Sequence, residues 1–348
     1  MIRWLITSSE ISTASIDYNI DSLQKSISRF TSNIRSRRDI ETVNRQATDL
    51  YNILIFPIAA KLDRDRLLCI IPDGVLSQLP FVALLSPENN HYLVEDFSIT
   101  TNPSASILIR TGKLASAKLR SNNDTFIGIS NPRFNYRLFP GLPSLPSAEE
   151  EVIRARSLYQ QSAFFSHEDA TKSELVQRIG KYQIVHIASH VLINAQSPLL
   201  SSILLAEKKT PIAKEKKLAS SAPNGILQAQ EVYQMKLPKT KLIILSGCRS
   251  ALGDYTRSDA LGVLAQSFFA AGSPSVIASL WDVDDASSAE IMYSFHYNHQ
   301  TKHQGFGEAL SQAQRSMLHS SDVKQRHPYY WAAFLLSGNG ISSDASLN

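Results

Sequence analysis

Two reactive side chains each end a short apolar segment of the sequence. Cys248 follows Leu-Ile-Ile-Leu-Ser-Gly, and His190 follows Ile-Val-His-Ile-Ala-Ser. A deprotonated thiol is a nucleophile, and an imidazole readily takes up a proton near neutral pH. If the two apolar segments are strands of a parallel sheet, both groups lie at its carboxyl edge. The pair therefore predicts nucleophilic catalysis, with Cys248 as the nucleophile and His190 as its base.

The residues around Cys248 favour a reactive thiol over a structural one. Gly247 and Gly253 permit a tight turn at the end of the strand. The neighbouring Arg249 would lower the pKa of the thiol. Cys69, in contrast, lies inside the apolar segment Leu-Leu-Cys-Ile-Ile and is interpreted as an inert core residue. Two cysteines in all do not form a disulfide framework, and they fit a reduced, intracellular protein.

Other histidines of the chain are interpreted as structural. His186 lies deeper in the same apolar segment as His190 and is expected to be a core histidine with its ring hydrogen-bonded. His296, His299 and His303 would share one flank of a helix, so a metal site is conceivable. No Cys, Asp or Glu completes the spacing, and we favour a solvated helix end. We therefore expect no metal and no other cofactor.

Three aspartates follow the apolar segment 275–280, in the sequence Trp-Asp-Val-Asp-Asp. One interpretation is that they cap the helix that follows. The alternative is that Asp282 and Asp285 form an acidic pocket beside Cys248 that binds a basic side chain of a substrate. The second interpretation predicts arginine or lysine immediately before the bond that is cut.

A lysine-rich segment lies between His190 and Cys248 in the sequence. Its five lysines are Lys208, Lys209, Lys214, Lys216 and Lys217. A solvated loop is the simpler interpretation. The alternative is that an enzyme with a preference for basic residues cuts itself there, because exposed loops are where proteolytic nicking concentrates.

The segments that must position these residues alternate between apolar strands and helices. Strands are predicted within 66–74 and 124–132, and at 182–190, 201–206, 241–247, 275–281 and 331–337. Helices are predicted around 21–34 and over Glu41–Leu62, the latter ended or kinked at Pro57. Further helices are predicted to start at Ser147 and Thr171 and to lie at 258–271, 287–299 and 307–319. The Pro- and Asn-rich segment Asn131–Pro146 is predicted to be a loop between two halves. Strands that are apolar on both faces are typical of a mostly parallel sheet covered by helices, which gives an α/β fold.

Composition excludes several classes of function. The chain has 348 residues, of which 43% are hydrophobic and 19% charged, so it is not disordered. A net charge of +4 does not argue for nucleic-acid binding. No apolar run approaches the roughly 20 residues that span a bilayer, and the start lacks the apolar core of a signal peptide. The expected compartment is the cytoplasm, with no membrane partner.

Seven motifs, in order along the chain, resemble the CHAT domains of bacteria, which are caspase-like cysteine peptidases of the same clan as separases. They are Leu50-Tyr-Asn-Ile-Leu-Ile-Phe-Pro-Ile58, Ile70-Ile-Pro-Asp-Gly-Val-Leu-Ser-Gln-Leu-Pro-Phe81, Asn102-Pro-Ser-Ala-Ser106, Val185-His-Ile-Ala-Ser-His190, Leu245-Ser-Gly-Cys248, Leu280-Trp-Asp-Val-Asp-Asp285 and His327-Pro-Tyr-Tyr-Trp-Ala-Ala-Phe334. The resemblance covers about Asp49 to Gly338. A histidine some 58 residues before the cysteine is also the order and spacing of caspase-like proteases.

The resemblance implies a caspase–hemoglobinase-like, mostly parallel sheet flanked by helices, with a non-catalytic α/β subdomain ahead of a catalytic one. For this chain we expect an N-terminal helical segment and the non-catalytic subdomain at 1–146, the catalytic subdomain at 147–340, and a tail at 341–348. By the motifs, His190 is the base and Cys248 the nucleophile. The family often carries helical repeats that act as sensors, so a regulatory segment or a partner protein is expected.

Val191 departs from the family pattern, which commonly has glycine after the catalytic histidine. The backbone N–H groups of Val191 and Cys248 are expected to bind the oxyanion. On that basis Val191→Gly would raise activity or leave it unchanged. The intact dyad favours a regulated endopeptidase that cuts protein or peptide substrates. The alternative, favoured by Val191, is a weak or inactive CHAT module that acts as a protein-interaction domain.

Overall fold

The structure is a computed structural model that describes residues 2–7, 9–15, 18–118, 123–207, 225–247 and 257–340, with the backbone alone at 257–261. Cys248, Arg249 and Gly253 lie outside these residues, as do the five lysines of the segment that follows Glu207. In the described ranges no helix is long and apolar enough to cross a bilayer.

The strands, in chain order, are β1 (Ile2–Ile6), β2 (Ile11–Ser15), β3 (Leu68–Ile70), β4 (Ile99–Thr101), β5 (Phe126–Pro132), β6 (Ser162–His167), β7 (Ile184–Ala188), β8 (Val191–Leu192), β9 (Ser202–Leu204), β10 (Ile226–Gln228), β11 (Leu242–Ser246), β12 (Ser275–Ser279) and β13 (Phe334–Gly338).

The α-helices are α1 (Ile20–Arg35), α2 (Ile40–Leu54), α3 (Phe56–Ala59), α4 (Leu93–Asp96), α5 (Ala105–Ala117), α6 (Pro146–Arg156), α7 (Lys172–Arg178), α8 (Ala229–Val232), α9 (Arg257–Ala271), α10 (Asp285–Gln300), α11 (Phe306–Leu318) and α12 (Pro328–Trp331).

The main sheet confirms the predicted α/β fold. Its eight described strands lie in the order β3-β4-β13-β12-β11-β7-β5-β6, and every neighbouring pair is parallel except β12 with β13. Alternate side chains of one strand enter different cores: Ile244 packs on one face of the sheet, and Ile243 and Leu245 pack on the other. Each such fully buried side chain contributes roughly 1.5–3 kcal/mol. Burial on both faces explains why these strands read as continuous apolar runs.

A second, three-stranded sheet follows β7. Its order is β10-β9-β8, and both pairs are antiparallel. The sequence predicted one strand over 182–190, but β7 ends at Ala188, and after two intervening residues the chain enters the other sheet as β8. His190 is thus placed between two sheets rather than inside a strand.

The two halves of the sequence share one continuous sheet. β5, which precedes the predicted boundary at residues 146 and 147, lies between β6 and β7. β13, from the last described segment, lies between β4 and β12. The division into a non-catalytic and a catalytic subdomain stays a prediction.

Helix starts were predicted with mixed success. Thr171 caps α7 by accepting a hydrogen bond from the Glu174 N–H at 3.1 Å, as expected. The capping box predicted at Ser147 is wrong, because α6 begins one residue earlier with Pro146 and Leu145 provides no side-chain cap. Proline is pre-organised for this first helical position, so no cap is needed there.

The N-terminal region contains a β-hairpin that the sequence did not predict. β1 pairs with β2 in an antiparallel, two-stranded sheet ahead of the helix α1. One face of this hairpin exposes Ile2, Trp4, Ile6 and Ile11, each about two-thirds accessible. Strands of only five residues are a weak sequence signal when neither face enters the core.

Candidate active site

The strand ends that should carry the reactive groups are neighbours at one edge of the main sheet. β7 pairs in parallel with β11, and Ala188 lies opposite Ser246. One residue further, the Ser189 N–H donates to the Ser246 carbonyl at 3.0 Å. His190 and Gly247 therefore follow these two strands at the same edge. Cys248 lies outside the described residues, but Gly247, to which it is bonded, is described.

Gly247 permits the close approach of the segments that follow β7 and β11. Its φ of +100° is a conformation that side-chain-bearing residues rarely adopt. A Cβ atom added here would lie 3.0 Å from the Ser189 carbonyl oxygen and 3.3 Å from the Ser189 nitrogen. The predicted need for glycine in this turn is confirmed, and the reason is both conformational and steric.

His190 is completely buried, and a backbone carbonyl sets the tautomer of its neutral ring. Nε2 lies 2.8 Å from the carbonyl oxygen of Pro143, which can only accept a hydrogen bond. Nε2 must therefore carry a proton, so in the neutral ring Nδ1 holds the lone pair. The ring also packs edge-on against Phe134, with centroids 5.3 Å apart. This tautomer makes Nδ1 the nitrogen that can accept a proton from a nucleophile.

The loop between β5 and α6 supplies this partner of His190. Asn131, near the end of β5, has a left-handed φ of 42°, and its Oδ1 accepts a hydrogen bond from the Leu145 N–H at the end of the loop, at 2.9 Å. Phe134 and Leu142 anchor the loop in a small apolar cluster with Leu204 of β9. The sequence predicted a loop here but gave it no role, because a backbone carbonyl such as that of Pro143 has no residue-type signature.

Val191 presents its backbone N–H away from the neighbouring strand. The Leu204 N–H donates to the His190 carbonyl at 2.9 Å, so these two residues form a hydrogen-bonded antiparallel pair. The next pair, Val191 with Ile203, is then a non-hydrogen-bonded one. β8 is the end strand of its sheet in the described residues, so the Val191 N–H points outward. The valine side chain is only 2% exposed and packs in the core with Ile203, away from the His190 ring.

The three aspartates after β12 lie in different environments. β12 pairs in parallel with β11, so these residues follow the strand next to that of Cys248, as predicted. Asp284 caps α10, accepting hydrogen bonds from the Ser287 N–H and hydroxyl at 3.2 and 3.1 Å. Asp285 is exposed in the first turn of α10. Asp282 is half-buried, and its carbonyl oxygen accepts a hydrogen bond from the Tyr329 hydroxyl at 2.9 Å. Capping thus accounts for Asp284, whereas a substrate-binding role stays a prediction for Asp282 and Asp285.

Comparison with known proteins agrees with the motifs. The model of the CHAT domain matches residues 44–339. The chain belongs to the CHAT domain family. Its resemblance to that family and the α/β caspase-like fold implied by it are therefore confirmed.

Curated relatives of this CHAT domain are much longer proteins. Tetratricopeptide repeat protein 28 from Homo sapiens and from Mus musculus each match at 27% identity over 347 residues. The match covers 86% of this chain but only 13% of either relative, so the chain spans a small part of their length.

Two solved structures also resemble the chain. The Arg-specific cysteine proteinase gingipain R matches with a TM-score of 0.49 at 12% identity, over 92% of this chain and 75% of that one. The Saccharomyces cerevisiae separase–securin complex matches with a TM-score of 0.46 at 14% identity, over 79% of this chain and 16% of that one.

A buried polar network lies behind the site of this CHAT domain. His186 Nε2 lies 2.8 Å from Glu151 Oε1 of α6, and its Nδ1 lies 3.2 Å from His296 Nε2 of α10. His296 Nδ1 in turn lies 2.7 Å from the Tyr159 hydroxyl. His186 is therefore the hydrogen-bonded core histidine that the sequence predicted.

The network has a single direction of hydrogen bonding. Burial lowers the pKa of His296 far below its usual value and raises that of Tyr159 far above it. Tyr159 therefore donates to a neutral His296, which donates to His186, which donates to Glu151. In this way the network joins α6 and α10 to β7, the strand that precedes His190.

The predicted solvated helix end is wrong for two of its three histidines. His296 is completely buried, and His299 is half-buried with Nε2 3.1 Å from Asp124 Oδ2. A histidine can be buried when both ring nitrogens are hydrogen-bonded, which the sequence pattern did not reveal. Within the described ranges, no group of three or more His, Cys, Asp or Glu side chains is arranged to hold a metal ion.

Proposed function

We propose that this CHAT domain is a regulated cysteine endopeptidase that cuts protein or peptide substrates through a Cys248–His190 dyad. The observation that carries the proposal is the meeting of the two strand ends. The Ser189 N–H donates to the Ser246 carbonyl at 3.0 Å, and His190 is held in the tautomer that leaves Nδ1 as the proton acceptor. Cys248 is bonded to Gly247, so its thiol is within the reach of one short side chain from this edge.

The chemistry of the dyad follows from that tautomer. His190 Nδ1 takes the proton of the Cys248 thiol, and the sulfur attacks the carbonyl carbon of the peptide bond. The oxyanion accepts hydrogen bonds from the N–H groups of Val191 and Cys248. When the C–N bond breaks, Nδ1 gives its proton to the leaving amine. Water then loses a proton to Nδ1 and adds to the thioester, the C–S bond breaks, and the thiol regains its proton.

The Pro143 carbonyl assists in this cycle as a positioning group. His190 becomes doubly protonated between the two proton transfers, and its Nε2–H then donates from a cation. Hydrogen bonds from charged donors are stronger than neutral ones, so the carbonyl stabilises the imidazolium that forms. The loop between β5 and α6 thus orients the base and supports its charged state.

For the substrate, we propose a basic side chain before the cut bond, bound by Asp282. Asp282 follows the strand beside that of Cys248 and is half-buried, so its charge is screened less than that of an exposed residue. Asp285 is exposed, and we propose that it contributes less than Asp282 to binding the basic side chain.

The remaining parts of the proposal concern regulation and compartment. Matched relatives are named for tetratricopeptide repeats and extend far beyond the shared domain, which supports control by a regulatory segment or a partner protein. Two cysteines without a disulfide framework support a cytoplasmic location.

A fluorogenic peptide library tests the proposal. Wild-type protein should cut peptides with arginine or lysine before the scissile bond, and Cys248→Ala and His190→Ala should each abolish turnover while the protein stays folded. The double variant should be little worse than either single one, because the two residues act as a unit. Cys69→Ala is the matched control and should retain turnover. Cleavage by Cys248→Ala would overturn the assignment.

A non-catalytic interaction domain is the second candidate. Val191 in place of the family's glycine and the exposed apolar face of the hairpin at Ile2, Trp4, Ile6 and Ile11 favour it. A wild-type protein that turns over no peptide in the library, and whose Cys248 reacts no faster than a free thiol, would support this candidate instead.

A further inference from the structure

Three hydrogen bonds hold the segment that carries Asp282 to α12 and to the residues between α12 and β13. The Leu280 N–H donates to the Ala333 carbonyl at 2.8 Å, just where β12 meets β13. The Trp281 indole N–H donates to the Tyr329 carbonyl at 2.9 Å. The Tyr329 hydroxyl donates to the Asp282 carbonyl at 2.9 Å. Three successive residues are thus fixed from one side, and Tyr329 makes two of the bonds.

His327 connects Tyr329 to the N-terminal helices. Its Nδ1 accepts a hydrogen bond from the Tyr329 N–H at 3.1 Å, which caps α12. Its Nε2 then carries the proton and donates to the Arg38 carbonyl at 2.9 Å, in the turn between α1 and α2. A neutral His327 therefore uses both ring nitrogens, Nδ1 for the Tyr329 N–H and Nε2 for the Arg38 carbonyl.

The turn between α1 and α2 also touches Tyr329 directly. The Arg37 guanidinium lies over the Tyr329 ring, 5.1 Å from its centroid. Arg37 adopts a left-handed φ of 54°, and Asp39 caps α2 by accepting from the Thr42 N–H at 2.8 Å. These local features fix the shape of the turn, which precedes the residues matched by the CHAT domain, 44–339.

We propose that His327 and Tyr329 are positioning residues that couple the α1–α2 turn to the Asp282 segment. The path runs from the Arg38 carbonyl through the His327 ring to the Tyr329 N–H, and from the Tyr329 hydroxyl to the Asp282 carbonyl. A partner that displaces the α1–α2 turn would thereby change how the site binds a basic side chain. The substrate part of this inference rests on the proposed function, whereas the coupling itself does not.

Two variants of the full chain each remove one link of the path. Tyr329→Phe keeps the ring beneath Arg37 but removes the hydroxyl that holds Asp282. His327→Asn keeps an acceptor that can cap α12 but is too short to reach Arg38. Tyr297→Phe, on the last turn of α10, is the matched control, since it removes a half-exposed tyrosine hydroxyl.

Hydrogen–deuterium exchange tests the coupling without requiring activity. Amides of residues 280–288 should exchange about two- to tenfold faster in Tyr329→Phe and in His327→Asn, which is the loss expected from one hydrogen bond. His327→Asn should also speed exchange at 36–39, and Tyr297→Phe should change neither segment. Unchanged exchange at 280–288 in His327→Asn would overturn the coupling, even if the protein is an active peptidase.

Peptide kinetics test the role in substrate binding. KM for an arginine peptide should rise about two- to tenfold in Tyr329→Phe, with a smaller change in kcat and in KM for a neutral peptide. An equal effect on both peptides would overturn the specificity role. If the wild type turns over neither peptide, the proposed function fails, and the exchange experiment still decides the coupling.

Discussion

Gly247→Ala perturbs the point where the two strand ends meet. A φ of +100° costs alanine roughly 1–3 kcal/mol. The new Cβ would also lie 3.0 Å from the Ser189 carbonyl oxygen, closer than the roughly 3.5 Å of ordinary contact. The backbone after β11 must therefore move away from Ser189 by a few tenths of an ångström. We expect the free energy of unfolding to fall by about 2–4 kcal/mol, which leaves a typical domain folded.

The same displacement should slow catalysis. A misplacement of about 1 Å costs on the order of 100-fold in rate, so a shift of a few tenths should lower kcat/KM about tenfold. Urea unfolding measures the stability, and turnover of an arginine peptide measures the rate. Gly112→Ala in α5 is the matched control, since no atom lies within 4 Å of its added Cβ. The free energy of unfolding of this control should rise by about 0.5–1 kcal/mol, because alanine favours a helix more than glycine does, and its turnover should not change. The reasoning is refuted if Gly247→Ala is as stable and as active as the wild type.

Three further predictions concern residues around the site. The free energy of unfolding should fall as pH drops below about 6.5, because burial lowers the pKa of His296 and the unfolded chain then binds a proton that the folded protein does not. Urea unfolding at several pH values should give a slope that approaches about 1.4 kcal/mol per pH unit. His296→Asn should reduce this slope. Glu151→Ala should lower the free energy of unfolding by about 3 kcal/mol, because it removes the buried acceptor of His186. Glu150 is exposed, and Glu150→Ala should change that free energy by less than about 0.5 kcal/mol. Equal losses in the two variants would contradict the network. Val191→Gly should lower the free energy of unfolding by about 2–3 kcal/mol, because core packing is lost. Its turnover per folded molecule should stay the same, because the backbone N–H remains. Lost turnover in a folded variant would argue against the proposed role of that N–H.

The fold class and the sheet edge could be predicted because both depend on apolar patterning. Runs that are apolar at every position require burial on both faces, which few architectures other than a covered parallel sheet provide. Once β7 and β11 are neighbours in such a sheet, the residues after Ala188 and Ser246 must lie at the same edge. The ends of the strands were less predictable, since Ser189 and His190 fit a strand pattern by composition.

Hydrogen bonds between groups that are distant in the sequence could not be predicted from it. The Pro143 carbonyl accepts a hydrogen bond from His190, which lies 47 positions further along the sequence, and any residue type could offer that carbonyl. His296 was assigned to a solvated helix end because no Cys, Asp or Glu completed a metal-binding spacing, yet Tyr159 and His186 satisfy both of its nitrogens. In each case the deciding partner is set by packing rather than by a local motif.

The central claim is that Cys248 is the nucleophile and that His190 activates it. An acyloxymethyl ketone peptide ending in arginine, followed by mass spectrometry of the digested protein, tests this claim most directly. We expect saturable modification at Cys248 and at least a 100-fold slower reaction in His190→Ala, a loss at the lower end of that for a missing general base. Cys69 should stay unmodified, because burial raises the pKa of its thiol. Modification of Cys69 alone, or a rate at Cys248 that does not depend on His190, would contradict the account.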